Sequence, residues 1–133
     1  MASERRIPIN QQSDIVTARR ESRSVAVELG FSSAEHAVIA TAISEIARNI
    51  VLYAKRGEIV LDPIEKEQRI GIRITASDSG PGIPDIELAM RDGYSTSKGL
   101  GLGLPGARRL MDEFVLVSQV GKGTRISMTK WRR

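Results

Sequence analysis

Four small sets of residues in this chain have types and spacings suited to chemistry. Glu45 and Asn49 stand four apart, so on a helix their side chains lie one turn apart along the same edge. A carboxylate there can accept a proton, and an amide oxygen beside it is a hard ligand of the kind Mg²⁺ takes. Any isolated E-x-x-x-N also reads as two solvated residues on an ordinary helix. The second set is Asp78-Ser79-Gly80-Pro81-Gly82, directly after the alternating run Ile70–Ala76. An aspartate at a strand end can accept hydrogen bonds from an exocyclic amine, and glycines two apart let a flat ring approach the backbone. The same residues also make a plain turn.

The third set is the stretch GYSTSKGLGLGLPG, Gly93 to Gly106, which fits three motifs. Gly101, Gly103 and Gly106 spell G-x-G-x-x-G, but a dinucleotide loop needs an apolar strand immediately before it, and Tyr94 to Lys98 are polar and turn-like. Ser95-x-x-Lys98 fits an acyl-enzyme nucleophile and base, yet Lys122-Gly123-Thr124 is in the wrong order for K-T-G and no S-D-N occurs. A phosphate-covering loop survives. Gly99, Gly101 and Gly103 offer backbone N–H groups, and a helix N-terminus expected at Pro105 aims its dipole at an anion. A fourth signal, Gly123-Thr124, opens a strand.

Composition excludes much else. The 133 residues suit one domain over 1–133, with 41% hydrophobic and 27% charged residues, a balance that argues against disorder. With no cysteine and one histidine, disulfides, thiolate metal sites and most histidine-based triads are ruled out. Basic residues outnumber acids by 20 to 16 but are scattered and carry no interleaved aromatics, so no nucleic-acid partner is expected. The N-terminus lacks a signal-peptide core and no apolar run reaches membrane-spanning length, which predicts a cytoplasmic protein without a membrane partner.

Periodicity predicts the elements that hold these residues. Arg5–Ile9 reads as an edge strand because of Pro8, and Ser13–Leu29 as an amphipathic helix closed by Gly30. Ser32-x-x-Glu35 is a capping box for a helix reaching about Tyr53, with Glu45 and Asn49 beside its buried stripe. Strands are expected over Glu58–Leu61 and Arg69–Ala76. A short helix with Pro84 at its first position should end near Arg91, and another should run from Pro105 to about Glu113. A closing hairpin, Phe114–Val120 and Thr124–Met128, turns at Gly121–Gly123. Grouped helices and strands favour an α/β (α+β) two-layer sandwich whose mixed, mostly antiparallel sheet carries helices on one face.

Taken in order, E-x-x-x-N, D-x-G-x-G, G-x-G-x-G and Gly-Thr resemble the Bergerat nucleotide-binding fold, shared by gyrase-type ATPases, a heat-shock chaperone class, histidine kinases and MutL proteins. The resemblance covers nearly the whole chain. It implies an ATP site with Mg²⁺ held by Asn49, adenine read by Asp78, and Gly80 and Gly82 flanking the ring. It further implies a Gly99–Gly103 lid with Lys98 over the phosphates, and Thr124 supporting Asp78. Within that fold, EIARNIVLYA and GYSTSKGLGLGLPGARRLMDEF are most similar to the RsbT-type switch kinases of the stressosome, which are partner-switching serine/threonine kinases. The implied activity is phosphoryl transfer from ATP to a STAS-domain scaffold or antagonist protein, with Glu45 as general base and a phosphatase-type regulator as downstream effector. Lys98, Arg48 or Arg108 could offset the transferring charge. A nucleotide-dependent binding module that sequesters a sigma factor is the alternative.

Overall fold

In the computed structural model, residues 3–91 and 103–133 are described. Five strands form one sheet in the order β1-β2-β3-β5-β4: β1 Arg5–Ile9, β2 Gly57–Lys66, β3 Arg69–Asp78, β4 Glu113–Gln119 and β5 Gly123–Trp131. All four ladders are antiparallel, so among the described residues the sheet has no parallel pair. The strands at β2 and β3 run further than periodicity predicted. β1 stops opposite Leu61, which leaves the rest of β2 with a neighbour on one side only, where Pro63 is tolerated.

The core is aliphatic. Alternate residues Ile59, Leu61, Ile72, Ile74, Ile126 and Met128 point to one face of the sheet and are almost fully buried. Against that face pack α1 (Ser13–Leu29) and α2 (Ser33–Asn49), which also pack on each other. Arg73, Val115, Val117 and Arg125 stand exposed on the strands' other face. The stripe of α1 includes fully buried Ser22, whose hydroxyl donates to the Arg19 carbonyl at 2.7 Å and so needs no partner outside the helix. Gly30 ends α1 in the left-handed conformation (φ 82°), with Phe31 N–H donating back to the Ala26 carbonyl.

The helix α2 begins with the expected capping box: Ser32 Oγ accepts from Glu35 N–H at 3.2 Å, and Glu35 accepts from Ser32 N–H at 2.8 Å. Burial pushes the Glu35 carboxyl up. The Ser32 and Arg133 backbone N–H groups, the Ser32 side chain and the Lys130 charge outweigh it and hold it below the usual carboxylate range. A carboxyl depressed by folding stabilises the native state above its unfolded value, and that contribution fades as pH falls through the lower folded value. Glu35→Ala is therefore expected to lose about 1 kcal/mol in urea unfolding at neutral pH and progressively less below about pH 4.

Helical structure continues past Asn49 as a single π turn, Ile50–Ala54, closed by Lys55 N–H to the Ile50 carbonyl at 2.8 Å. The 22 helical residues Ser33–Ala54 are long and apolar enough to cross a membrane by composition alone, which exceeds the expectation from reading the sequence. They form the core helix here: α1, α4 (Gly103–Leu110) and β3 pack on α2, and the ion-paired Glu45 and Arg48 lie within it. The short α3 (Ile86–Ala89) is capped by Asp85, whose carboxylate accepts from Leu88 N–H at 3.0 Å. Pro84 therefore precedes the cap rather than opening the helix. Likewise α4 starts at Gly103, which places Pro105 inside its first turn, where no N–H is needed.

Candidate active site

Asp78 ends β3 and stands opposite Thr124, the second residue of β5. Its Oδ1 accepts from Gly80 N–H at 2.9 Å and from Thr124 N–H at 3.3 Å. Both bonds fall on one oxygen, so among the described residues Oδ2 remains available to a ligand. Thr124 is buried, and its hydroxyl lies 2.8 Å from that of Ser118 on β4. Ser118 Oγ also accepts from Ile83 N–H at 2.8 Å. Three segments are thus tied together at Asp78: the β3 end, the loop before α3, and the β4–β5 hairpin.

The glycines explain how closely these segments approach. A Cβ on Gly80 would stand 2.6 Å from Ala54 Cβ, so the loop can pass the end of the π turn only without a side chain. Gly80 is absent from the wall of the cavity described below, and what the structure shows for it is this packing. Gly82 does line the cavity, at φ 80°, and its missing Cβ leaves space for the Gln119 carbonyl. Gly123, at φ 126°, lies against the Asp78 carbonyl in the same way.

In front of Asp78 lies a cavity of about 520 Å³, within the range of small-molecule sites. Apolar side chains, among them Ile83, Leu88, Leu104 and Val120, make up most of its wall, and Asp78, Asn49 and Thr124 supply polar groups. Tyr53, one turn beyond Asn49, lines it as well and is 42% exposed. Sequence reading missed both Tyr53 and Ser118. The signal for Tyr53 was an aromatic four residues after Asn49 in a chain with five aromatics; for Ser118 it was the cross-strand pair with Thr124.

Glu45 is 7% exposed and lines an adjoining recess of about 10 Å³ rather than the cavity itself. Its Oε1 accepts from Arg48 Nη1 at 2.9 Å and from Gly103 N–H, at the start of α4, at 3.3 Å. Asn49, Tyr53, Gly103 and Leu104 border both spaces. The structure thus brings Glu45, Asn49, Asp78, Gly82, Gly103 and Thr124 around one continuous site. Lys98, Gly99 and Gly101 lie outside the described residues.

The antiparallel sheet with helices on one face accords with comparison to known proteins. A model of the histidine kinase-like ATPase domain matches residues 9–130. The chain belongs to that family. Among members of the histidine kinase-like ATPase family, the serine/threonine-protein kinase RsbT of Bacillus subtilis is 56% identical over 120 residues, covering 90% of each chain. An anti-sigma F factor of Caldanaerobacter subterraneus is 33% identical over 86% of this chain and 82% of its own. Solved structures share the fold. The RsbU and RsbW domains of a Mycobacterium tuberculosis protein superpose with a TM-score of 0.70 at 18% identity, over 99% of this chain and 33% of that longer one. The SiaB–SiaC complex of Pseudomonas aeruginosa gives 0.61 at 13% identity, over 96% of this chain and 89% of that one.

Among the described residues, no three His, Asp or Glu side chains cluster to hold a metal ion. Asn49 borders the cavity and offers an amide oxygen, a hard ligand of the kind Mg²⁺ takes. The apolar cavity walls, with one carboxylate oxygen open at Asp78, suit a flat base bearing an amine.

Proposed function

We propose that the protein is an ATP-dependent serine/threonine protein kinase that acts on STAS-domain regulators in a bacterial partner switch. The observation that carries this reading is the position of Asn49, which borders both the cavity in front of Asp78 and the recess holding Glu45. Nucleotide and proton acceptor are thereby set one helical turn apart. The identity with the RsbT kinase supports the acceptor class.

Bound Mg-ATP supplies the γ-phosphoryl group, with the metal neutralising charge on the phosphates. Asp78 Oδ2 accepts from the adenine amine, held in place by Gly80 and Thr124 through Oδ1. Asn49 presents its amide oxygen to the metal. Leu104 and Ile83 exclude water from the base end. Lys98, Gly99, Gly101 and Gly103 are assigned to the phosphate end, with Gly103 tying that segment to Glu45. Glu45 accepts the proton of the attacking serine or threonine hydroxyl as its oxygen bonds to the γ-phosphorus, while the bond from that phosphorus to the β–γ bridging oxygen breaks and ADP leaves. Stressosome membership, the cytoplasm as location and release of the kinase to bind a phosphatase-type effector complete the proposal.

Incubation with Mg-ATP and a STAS-domain protein tests it. Wild type should give a phosphorylated STAS protein, and Asn49→Ala should lose transfer about 100-fold or more, as expected when a charge-neutralising contact is removed. No phosphoprotein from wild type, or equal transfer by the variant, would sink the reading. The anti-sigma F relatives motivate the sequestering alternative, which instead requires retention of a sigma factor by the nucleotide-bound protein in a pull-down.

A further inference from the structure

We infer that Arg48 is a positioning residue that aims the Glu45 carboxylate, rather than a contact to the transferring phosphate. The inference deepens the kinase reading and rests on it.

Arg48 Nη1 reaches both Glu45 oxygens, at 2.9 and 3.2 Å. A donor shared between two carboxylate oxygens holds the group in place, and a second donor from another direction restrains its twist. Gly103 N–H approaches Oε1 at 3.3 Å from a different element, α4. Both contacts restrain the orientation of a carboxylate that is 7% exposed. Arg48 borders the small recess with Glu45 and is absent from the wall of the nucleotide cavity. Its guanidinium is therefore on the base and not in the wall of the cavity in front of Asp78.

The pair is three residues apart on one helix. It joins no two elements, so holding the tertiary structure together is not its role. Burying a carboxylate without a partner is costly, and a planar guanidinium near the helix C-terminus provides one that is also directional. A base that must meet an incoming hydroxyl gains from such fixing, because a displacement of about 1 Å costs on the order of 100-fold in rate.

The test compares wild type with Arg48→Gln, Arg48→Lys, Glu45→Gln and the Glu45→Gln/Arg48→Gln double variant. Labelled γ-phosphate transfer from Mg-ATP to the STAS-domain acceptor gives kcat and the KM for ATP, and thermal unfolding monitors the fold. Arg48→Gln should lower kcat roughly 10- to 100-fold with the KM for ATP unchanged. Arg48→Lys should recover part of the loss. The double variant should be no slower than Glu45→Gln alone, because a positioning residue has nothing left to aim. Three results overturn the inference by itself while wild type is active: an unchanged kcat in Arg48→Gln, a raised KM at constant kcat, or a further loss when Arg48→Gln is added to Glu45→Gln. Lack of transfer by wild type would overturn the kinase reading and this inference with it.

Discussion

Asp78→Asn is expected to weaken ATP binding about 100-fold or more, since hydrogen bonds to a charged group are worth about 1.5–3 kcal/mol and a mismatched donor adds to that loss. The substitution is informative because the shape hardly changes. An asparagine Oδ1 can still accept from Gly80 and Thr124 N–H, which wild-type Asp78 binds at 2.9 and 3.3 Å. The β3–β5 junction should therefore survive, and the thermal midpoint should move little. What changes is the second arm, where an NH₂ donor replaces Oδ2 and faces the adenine amine donor. Titration with a fluorescent ATP analogue measures the affinity. Wild-type affinity in the variant would show that Asp78 supports the loop without reading the base.

Glu45→Gln should separate binding from chemistry. The amide keeps an oxygen for the Arg48 and Gly103 donors, so α4 should stay in place against α2. It cannot take up the hydroxyl proton, and loss of a general base typically lowers the rate about 10²- to 10⁴-fold. The expected result is a kcat reduced by that factor with nucleotide affinity little changed, read from single-turnover transfer beside the same titration. Loss of affinity in parallel with rate would instead make Glu45 part of the nucleotide site. The two substitutions are thus expected to affect opposite ends of one site, Asp78→Asn through binding and Glu45→Gln through turnover.

Both variants depend on residues legible before any fold was known. The helix carrying Glu45 and Asn49 was marked by its capping box and by an apolar stripe that recurs with helical period. The strand leading to Asp78 was marked by alternating isoleucines, and the first strand and helix fall at the predicted residues. Boundaries failed where tertiary context overrode local signals. β2 runs through Pro63 because it is an edge there, and α4 includes Gly103 and Leu104 ahead of Pro105, with Gly103 N–H donating to Glu45, 58 residues away.

The sequence by itself determined the two-layer architecture and which side chains could do chemistry, because period and residue type are local properties. It also placed Glu45 and Asn49 on one edge, since helical spacing alone does that. Only the tertiary structure decided what those residues face. The crossover that inserts β5 between β3 and β4 sets Thr124 beside Asp78 across 46 residues of chain. It assigns Gly80 to packing against Ala54, brings Tyr53 into the cavity, and separates that cavity from the recess where Arg48 holds Glu45. The physical reason is that strand order and the close approach of backbones are set by contacts between distant segments, which no local pattern encodes.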